Sequence, residues 1–296
     1  MNDAVIQLED LALRYRLARN RVTSLKEFMI HMLSGSLEYS ELWALDGIDL
    51  EVQRSEALGI IGRNGAGKST LLKVISGVLK PTRGKRVVRG RISPILELGT
   101  GFDYELTGHE NIFLNGLLRG HTRKSIEAKV DGIIEFSGLE EFIHSPVRNY
   151  STGMMARLGF AVATAWVPEV LVLDEVLSVG DARFLKRCHE RLDSFRAAGT
   201  TALIVSHSPL EILNHCSRVI WVEGGKIVAD GEPRDVVGQY ALFAGDTATA
   251  ALVASDLTAD SGIAGSPAQP TSAGKAPKAT DSPTPDPPTQ RQTTDA

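Results

Sequence analysis

A short glycine-rich segment limits the possible folds of this chain more than any other feature. The segment GRNGAGKST covers residues 62–70, follows the apolar run ALGII and precedes the helical pattern KSTLLKVISGVL. A glycine-rich turn between a buried strand and a helix matches the phosphate-binding loop G-x-x-x-x-G-K-[ST]. Gly62, Gly65 and Gly67 let backbone N–H groups point at one anion, and the helix N-terminus adds partial positive charge there. The sequence therefore predicts a phosphate-binding loop between a strand and a helix of an α/β domain.

The residues of this loop have separate expected tasks. Lys68 would reach the β- and γ-phosphates of a nucleotide, and the Ser69 hydroxyl would ligate Mg²⁺. We expect every residue of the loop to contact the nucleotide: Gly62, Arg63, Asn64, Gly65, Ala66, Gly67, Lys68, Ser69 and Thr70.

Two acidic residues end a second apolar run, VLVLDE, at residues 170–175. A phosphate-binding loop requires a carboxylate that orders Mg²⁺ at the end of a buried strand. Asp174 is predicted to hold the ion through water, and Glu175 to act as general base on the attacking water. His207 ends another apolar run, TALIVSH, and is predicted to contact the γ-phosphate, the alternative being a structural histidine.

Apolar strand-like runs alternate with helical patterns through residue 245, which predicts an α/β fold with a mostly parallel sheet. Predicted strands cover 4–15, 57–62, 170–175, 201–207, 218–223 and 226–231, and predicted helices cover 68–78, 123–137, 153–166, 182–198 and 233–243. Residues 246–296 consist mainly of Ala, Thr, Ser, Pro and Asp, so they are predicted to form a disordered tail. The tail is either inert or a docking segment.

Composition argues against several classes of function. The chain has 296 residues and a net charge of −4, without the basic excess of a nucleic-acid-binding protein. Its two cysteines, Cys188 and Cys216, have no CxxC neighbour, so we expect a reducing compartment. The longest apolar run, 158–167, is half of the roughly 20 residues that a membrane span requires. The first ten residues lack the pattern of a signal peptide.

The order of the motifs resembles the nucleotide-binding subunits of ABC transporters. Residues 150–154, YSTGM, lie between the two phosphate-site motifs and resemble the family signature LSGGQ, with Ser151 and Gly153 matching. The segment SVGD at 178–181 resembles the loop that joins the two sites. The resemblance implies a head-to-tail dimer of two copies, in which ATP lies between the phosphate-binding loop of one copy and Ser151 and Gly153 of the other.

The same resemblance assigns further residues. Tyr15 matches the aromatic residue that stacks on adenine, the alternative being an ordinary strand tyrosine, and Asp181 belongs to the ATP-contacting set. The family has a glutamine between the phosphate-binding loop and the signature that senses Mg²⁺ and the γ-phosphate. Here Glu97 is the nearest candidate metal ligand, or Leu98 if the alignment shifts by one residue. A carboxylate at this position would add negative charge near the phosphates.

Within the family, YSTGM, EVLSVGD, LELGTGF and ELTGHEN resemble the ATPase subunits of O-antigen, teichoic-acid and related polysaccharide exporters. The resemblance implies an ABC-type NTPase with a mostly parallel core sheet, an antiparallel β subdomain and a helical signature subdomain over residues 1–245. It implies an ATPase that uses ATP and Mg²⁺ at the cytoplasmic face of the inner membrane. Its partners would be a second copy and a polytopic permease that handles the glycan-lipid, without nucleic acid. The tail is too short and polar for the carbohydrate-binding domain of larger members.

Three further segments leave alternatives open. The insertion 23–35 is predicted to be an amphipathic helix that packs on the core of its own subunit or approaches the membrane partner. The basic run RGKRVVRGR, 83–91, is either a solvated strand face or a contact for anionic lipid or the acidic part of a glycan-lipid. In the loop after residue 95, Phe102 and Tyr104 are expected to be apolar anchors for a partner helix.

Two rival functions use the same phosphate chemistry. A soluble ABC-type ATPase that acts on ribosomes or DNA generally has two ATPase halves or long coiled coils, and this chain has neither pattern. A GTPase would need a guanine-reading N-K-x-D motif, which the sequence lacks, and a kinase would need an acceptor site and a lid. Transport-coupled ATP hydrolysis is therefore the favoured interpretation.

Overall fold

The computed structural model describes residues 3–18, 39–96, 98–175 and 181–260. Its strands, in chain order, are β1 (Ala4–Ala18), β2 (Tyr39–Gln53), β3 (Ala57–Ile61), β4 (Arg83–Val88), β5 (Ile92–Ile95), β6 (Val170–Asp174), β7 (Thr201–Val205), β8 (Arg218–Glu223) and β9 (Lys226–Gly231). A small sheet with the order β2-β1-β4 is antiparallel. A six-stranded sheet has the order β5-β6-β7-β3-β8-β9 and is parallel except for β9.

Helices connect the strands and cover the sheets. They are α1 (Lys68–Ile75), α2 (Gly108–Leu118), α3 (Arg123–Glu127), α4 (Val130–Ser137), α5 (Thr152–Ala163), α6 (Ala182–Ala197), α7 (Pro209–His215), α8 (Pro233–Ala244) and α9 (Thr247–Asp260). Local sequence explains several of their ends. For example, a reciprocal capping box of Thr107 and Glu110 starts α2, and Gly138 ends α4 in the left-handed conformation.

Two apolar cores lie on opposite faces of the large sheet. The first core packs α1 between the small and large sheets, and Leu71, Leu72 and Ile75 of this helix are fully buried there. The second core covers the other face with the helices α2 to α9. The strands β3, β6 and β7 contribute to both cores, which is why they read as nearly continuous apolar runs. The predicted α/β class with a mostly parallel core sheet and an antiparallel β subdomain is confirmed.

The main differences from the predicted elements occur where the sequence pattern is weak. Strand β2, strand β5 and helices α2 and α7 were not among the predicted elements. The predicted helix 123–137 is two helices, because α3 ends at Glu127 and a new helix starts at Val130. The other predicted strands and helices are present, with ends displaced by up to three residues.

The start of the C-terminal segment also differs from the prediction. Disorder was predicted from Asp246, but α9 occupies Thr247–Asp260. Asp246 caps this helix by accepting hydrogen bonds from the backbone and the hydroxyl of Thr249, and Val253 is buried against α8 near Gly238. The disorder prediction was therefore wrong for 247–260, where the Asp246 cap and the burial of Val253 accompany a helix that packs on α8. Residues 261–296 lie outside the described residues.

The basic run 83–91 makes many of its contacts within the small sheet. Arg83 forms an ion pair with Asp10 at 2.9 Å, and Lys85 lies 3.5 Å from Glu9. These contacts support the interpretation as a solvated strand face. In residues 3–18, 39–96, 98–175 and 181–260, no helix combines the length and the apolar character that a membrane span needs.

Candidate functional site

One edge of the large sheet brings together residues that are far apart in sequence. The loop 62–67 follows β3, Asp174 ends β6, and His207 comes two residues after β7. In an open parallel sheet, ligands bind in the crevice outside the carboxyl ends of the strands. The three predicted motifs therefore meet where the fold provides a binding crevice.

The phosphate-binding loop has a backbone that its glycines permit. Gly62, Gly65 and Gly67 have φ angles of 147°, 80° and 111°. A Cβ atom on Gly62 would collide with the carbonyl oxygen of Val222, and one on Gly67 would lie 2.6 Å from the carbonyl oxygen of Ala44. The loop is thus pressed against β8 on one side and β2 on the other, and this contact leaves no room for a side chain.

The remaining loop residues divide between an exposed tip and a buried base. Arg63, Asn64 and Gly65 are exposed, whereas Ala66 is buried and donates its N–H to the carbonyl oxygen of Arg63 at 3.2 Å. Thr70 is half-buried in the first turn of α1. The tip therefore offers its backbone to solvent while the base is fixed in the core.

Lys68 lies at the centre of the site and is only 5% exposed. Its Nζ atom donates to the carbonyl oxygens of Gly62 and Arg63 at 2.7 and 3.0 Å. Burial lowers the pKa of Lys68 from its ordinary value, because desolvation disfavours the charged ammonium. Three nearby carboxylates act on that pKa in the opposite direction: Glu175, Asp174 and Glu223.

Asp174 presents a carboxylate oxygen that other described groups do not use. Its Oδ1 atom is buried without a hydrogen bond among the described residues, and the Ser69 side chain is hydrogen-bonded to the same carboxylate. Burial raises the pKa of Asp174, and the Ser69 hydrogen bond only partly offsets this effect. A buried carboxylate oxygen beside a hydroxyl, both next to a phosphate-binding loop, fits a hard divalent cation such as Mg²⁺.

Glu175 and His207 contact each other directly. The Nε2 atom of His207 lies 2.8 Å from Oε1 of Glu175, and both side chains are exposed. Glu175 also has a φ angle of 56°, which is unusual for a residue other than glycine, and its N–H donates to the carbonyl oxygen of Val205 at 3.0 Å. Backbone strain of this kind is concentrated at functional sites, since surrounding contacts must hold it in place. Glu175 of this pair follows directly on the half-buried Asp174.

Sequence reasoning did not identify Glu223 as a member of the site. Glu223 ends β8, and its carboxylate acts on the pKa of both Lys68 and Tyr240. Its Oε2 atom is buried and has no hydrogen bond among the described residues. The sequence feature that could have identified it is an acidic residue at the end of an apolar strand, directly before Gly224 and Gly225.

Tyr15 lines a groove to which no residue of the phosphate-binding loop contributes. It packs against the core around α1, and the groove has a volume of about 740 Å³ and lies between the sheets and the helices α2 and α5. Basic groups in the groove lining are Lys73, Arg91, Arg119 and His121, and no carboxylate occurs among its described lining residues. The ring of His121 stacks on Trp166 with 3.8 Å between the centroids. The groove is thus apolar with a basic rim.

The loop that leads into α2 is only partly available for a partner. Phe102 is 8% exposed and packs in the core, whereas Tyr104 is 56% exposed. The prediction that Phe102 is a surface anchor was therefore wrong, because its ring fills the space under the loop and touches Gly99. Tyr104 keeps the expected accessibility.

The signature residues start α5, away from the phosphate-binding loop of the same chain. Ser151 is the N-cap of this helix, and its hydroxyl accepts a hydrogen bond from the N–H of Met154 at 3.2 Å. Gly153 follows in the first turn, where a Cβ would meet only the Ser151 hydroxyl at 3.9 Å. Helix α5 packs on α4, α2 and β5, whereas α1 packs on β2, β6 and β7. Asp181 is likewise a helix cap, since its carboxylate accepts from the N–H of Phe184 at 2.8 Å.

Three predicted features lie outside the described residues: the helix 23–35, the candidate metal ligand Glu97 and the segment 178–180. Within the parts of the chain that the structure describes, no group of three or more His, Cys, Asp and Glu side chains is arranged to hold a metal.

Comparison with known proteins identifies the relatives of the chain. A family model described as ABC transporter matches residues 45–178. The O-antigen export system ATP-binding protein RfbB of Klebsiella pneumoniae is 40% identical over 240 residues, which cover 80% of this chain and 98% of that protein. RfbB of Myxococcus xanthus is 41% identical over 267 residues, 88% of this chain, but this chain covers only 61% of that longer protein. The teichoic acids export ATP-binding protein TagH of Lactiplantibacillus plantarum is 39% identical over 83% of this chain and 66% of its own length.

Solved structures show the same fold at lower sequence identity. An ATP-binding subunit of an ABC transporter superposes with a TM-score of 0.64 at 22% identity, over 86% of this chain and 99% of that one. A dimeric ATP-binding cassette bound to ADP and phosphate has a TM-score of 0.62 at 18% identity, over 77% of this chain and 98% of that one.

Proposed function

The chain belongs to the ATP-binding subunits of ABC transporters, and on this premise we propose that it hydrolyses ATP to drive export of a cell-surface polysaccharide or glycolipid through a separate transmembrane subunit. The observation that carries the ATPase part is the convergence of Lys68, Asp174 and the Glu175–His207 pair at one sheet edge. The similarity to O-antigen and teichoic acid exporters supports the class of substrate.

Lys68 and the loop would bind the triphosphate. The ammonium now donates to two loop carbonyl oxygens, and phosphate oxygens would replace these acceptors with charged ones. The N-terminus of α1 and the loop N–H groups would add further donors. Asp174 and the Ser69 hydroxyl would hold Mg²⁺, which when bound neutralises phosphate charge. The raised pKa of Asp174 fits this role, because a cation would restore the stability of its carboxylate form.

Glu175 and His207 would act on the water and the terminal phosphate. Glu175 would accept the proton of the attacking water, and the His207 contact at 2.8 Å would hold the carboxylate in position until the γ-phosphate arrives. His207 would then donate to the γ-phosphate. When ATP binds, His207 would exchange its contact with Glu175 for one with the γ-phosphate. This exchange would release the general base only when ATP is present.

We propose that the N-terminus of α5 contacts the nucleotide that is bound to a second copy of the chain. Ser151 and Gly153 lie at a helix N-terminus that packs away from α1, so this end of the helix would face a different molecule. The fold of the dimeric cassette supports such an assembly. In this arrangement Asp181, at the start of α6, would lie close to the same interface.

The groove is the surface that we assign to the transmembrane subunit. Its volume of about 740 Å³, its apolar lining and its basic rim suit an amphipathic helix that carries acidic residues. Tyr104 is exposed close to this region of the chain, in the loop that enters α2. In this position the protein would be peripheral, at the cytoplasmic face of the inner membrane.

Co-purification with ATPase measurement tests the proposal. We expect the purified chain to release phosphate from ATP in a Mg²⁺-dependent manner and to co-purify with a polytopic membrane protein encoded near glycosyltransferases. Recovery of ribosomes and of no membrane protein would contradict the transport function and favour a soluble ABC-type ATPase. A chain that binds ATP but never hydrolyses it, alone or with its partner, would contradict the ATPase function.

A further inference from the structure

Two arginines of α6 contact the C-terminal ends of two other helices. The guanidinium of Arg187 donates to the carbonyl oxygen of Glu135, in the last turn of α4, at 3.1 Å. Arg191, about one turn further along α6, donates at 2.9 Å to the carbonyl oxygen of Thr164, which is the C-cap of α5. The last carbonyl oxygens of a helix carry partial negative charge. Both arginines therefore complement helix C-termini and join α6 to α4 and α5.

The same two guanidinium groups lie over one aromatic ring. Their Cζ atoms are 4.9 and 4.0 Å from the centroid of the Phe136 ring of α4. This ring packs on Phe160 of α5 at 6.0 Å and on Phe184 of α6 at 5.6 Å between centroids, and all three rings are buried. We call these five residues the arginine–phenylalanine cluster: Phe136, Phe160, Phe184, Arg187 and Arg191.

Stability alone does not account for two arginines in the cluster. Burial lowers the pKa of Arg191, and the positive charge of Arg187 adds to this effect. In the part of the chain that the structure describes, neither arginine forms an ion pair with a carboxylate. Apolar side chains of similar volume often pack in such positions with equal or greater stability. What the guanidinium groups add is direction, because each hydrogen bond to a carbonyl oxygen restrains the angle between two helices.

The cluster connects two helices whose N-termini carry predicted site residues. The cap of α6 is Asp181, whose carboxylate accepts a hydrogen bond from the N–H of Phe184, so this cap and the cluster share one helical turn. Helix α5 begins after its cap Ser151 and ends beside the carbonyl oxygen that Arg191 contacts. The cluster therefore lies between the two helix N-termini that the proposed function places at the interface with a second copy.

The length of α5 makes its N-terminus sensitive to the direction of the helix. Its twelve residues span about 18 Å, so a change of about 10° at the Arg191 end would move the Ser151 end by roughly 3 Å. A shift of this size is as large as a hydrogen bond is long, so the contact with a phosphate oxygen would be lost.

We propose that Arg191, supported by Arg187, is a positioning residue that sets the direction of α5 relative to α6. In this direction the Ser151 end of α5 reaches the nucleotide bound to a second copy, and Asp181 meets the same interface. The inference rests on the proposed function and identifies the residues that hold its two interface helices together. Because none of the contacts of Arg191 reaches the phosphate-binding loop, its loss should spare nucleotide binding by the single chain and impair the step that needs a second copy.

The variant Arg191→Met tests the proposal, because methionine keeps an apolar contact with Phe136 but lacks the charge and the donor to Thr164. The probe is ATP, added to the full chain that also carries Glu175→Gln, in which the ATP-bound dimer should accumulate on gel filtration. We expect Arg191→Met to raise the ATP concentration for half-maximal dimer formation by about tenfold or more. The affinity of the chain for ADP, measured by calorimetry, should stay within about twofold.

Three further variants separate positioning from a general effect on the fold. Lys186→Met is the matched control, because it removes the same charge from α6 at a side chain that is 79% exposed. Arg191→Lys should restore most of the dimer, since an ammonium keeps a charge near the Phe136 ring and can donate to a carbonyl oxygen. Arg187→Met should weaken the dimer in the same direction, so the proposal remains testable if Arg191→Met does not fold.

The outcomes distinguish the inference from the function on which it rests. Dimer formation by the chain with Arg191→Met and Glu175→Gln at the same ATP concentration as with Glu175→Gln alone would overturn the proposal. Equal losses of ADP affinity and of dimer formation, or an equal loss in Lys186→Met, would also overturn it. A chain with Glu175→Gln alone that binds ATP but never forms a dimer would contradict the proposed contact with a second copy, and this inference with it.

Discussion

The phosphate site and the groove are two concave regions on the same fold, and they are built in opposite ways. The phosphate site uses backbone N–H groups, one buried lysine and carboxylates at the end of buried strands, with strained backbone at Glu175. The groove is apolar, has a basic rim and lies between the sheets and the helices α2 and α5. Under our proposal the rigid sheet edge carries out the chemistry, and the groove between the sheets and the helices docks the transmembrane subunit.

The variant Glu175→Gln tests the phosphate site without changing the groove. The amide has the shape of the carboxylate but cannot accept the proton of the attacking water, so we expect hydrolysis to fall by about 10²–10⁴-fold. ATP binding should persist, and the ATP-bound dimer should accumulate on gel filtration. Phosphate release and elution volume measure the two effects. Unchanged turnover would exclude Glu175 as the general base.

Asp174→Asn should have opposite effects on the activity of the phosphate site and on the stability of the fold. Because burial raises the folded-state pKa of Asp174, the carboxylate destabilises the nucleotide-free fold at neutral pH. This penalty begins to shrink as pH falls through the folded-state pKa and is gone below the ordinary pKa of the unfolded chain. We expect the amide to raise Tm at neutral pH by about 2–4 °C and to abolish Mg²⁺-dependent hydrolysis. The gain in Tm should shrink at acidic pH. A lower Tm at neutral pH would show that the carboxylate is stabilised by its surroundings.

Arg91→Glu tests whether the groove acts independently of the phosphate site. Arg91 is exposed at the groove rim, so the reversed charge should repel an acidic partner helix and reduce co-purification of the membrane subunit several-fold. Affinity for ATP should not change. Lys124→Glu is the matched control, because it makes the same charge change on an exposed residue that does not line the groove. Equal losses in both variants would refute a groove-specific contact.

The smallest expected effect concerns the helix behind the phosphate site. Asp246 and Thr249 of the C-terminal segment line a cavity of about 200 Å³ together with Gly62 and His207. Val253→Ala should loosen α9, lower the stability by about 1 kcal/mol and lower Tm by about 2–4 °C. Leu252→Ala, at a residue that is 37% exposed, serves as the control. A change in ATP hydrolysis that exceeds the stability effect would show that the phosphate site depends on this helix.

Sequence reasoning was most specific where chemistry and local structure impose the same residues. The loop 62–70 and the pair Asp174–Glu175 were assigned from their spacing, because a phosphate needs glycine backbone and a metal needs a strand-end carboxylate. The long ribbon strand β2 was missed because only its second half, residues 48–53, alternates regularly and Gly47 interrupts the pattern; its register with β1 also contains bulges. The helix α9 was missed because, among its residues 247–254, Val253 alone is buried, which leaves almost no apolar pattern to detect.

The sequence by itself determined the phosphate chemistry and the family of this protein. The backbone conformation of the loop permits only certain residues, above all glycine. The order of the motifs along the chain matches that of the family. Only the tertiary structure decided that Glu175 contacts His207 and that Glu223 lies near Lys68. These relations depend on strand order and register, which join residues far apart in sequence and leave no local signal.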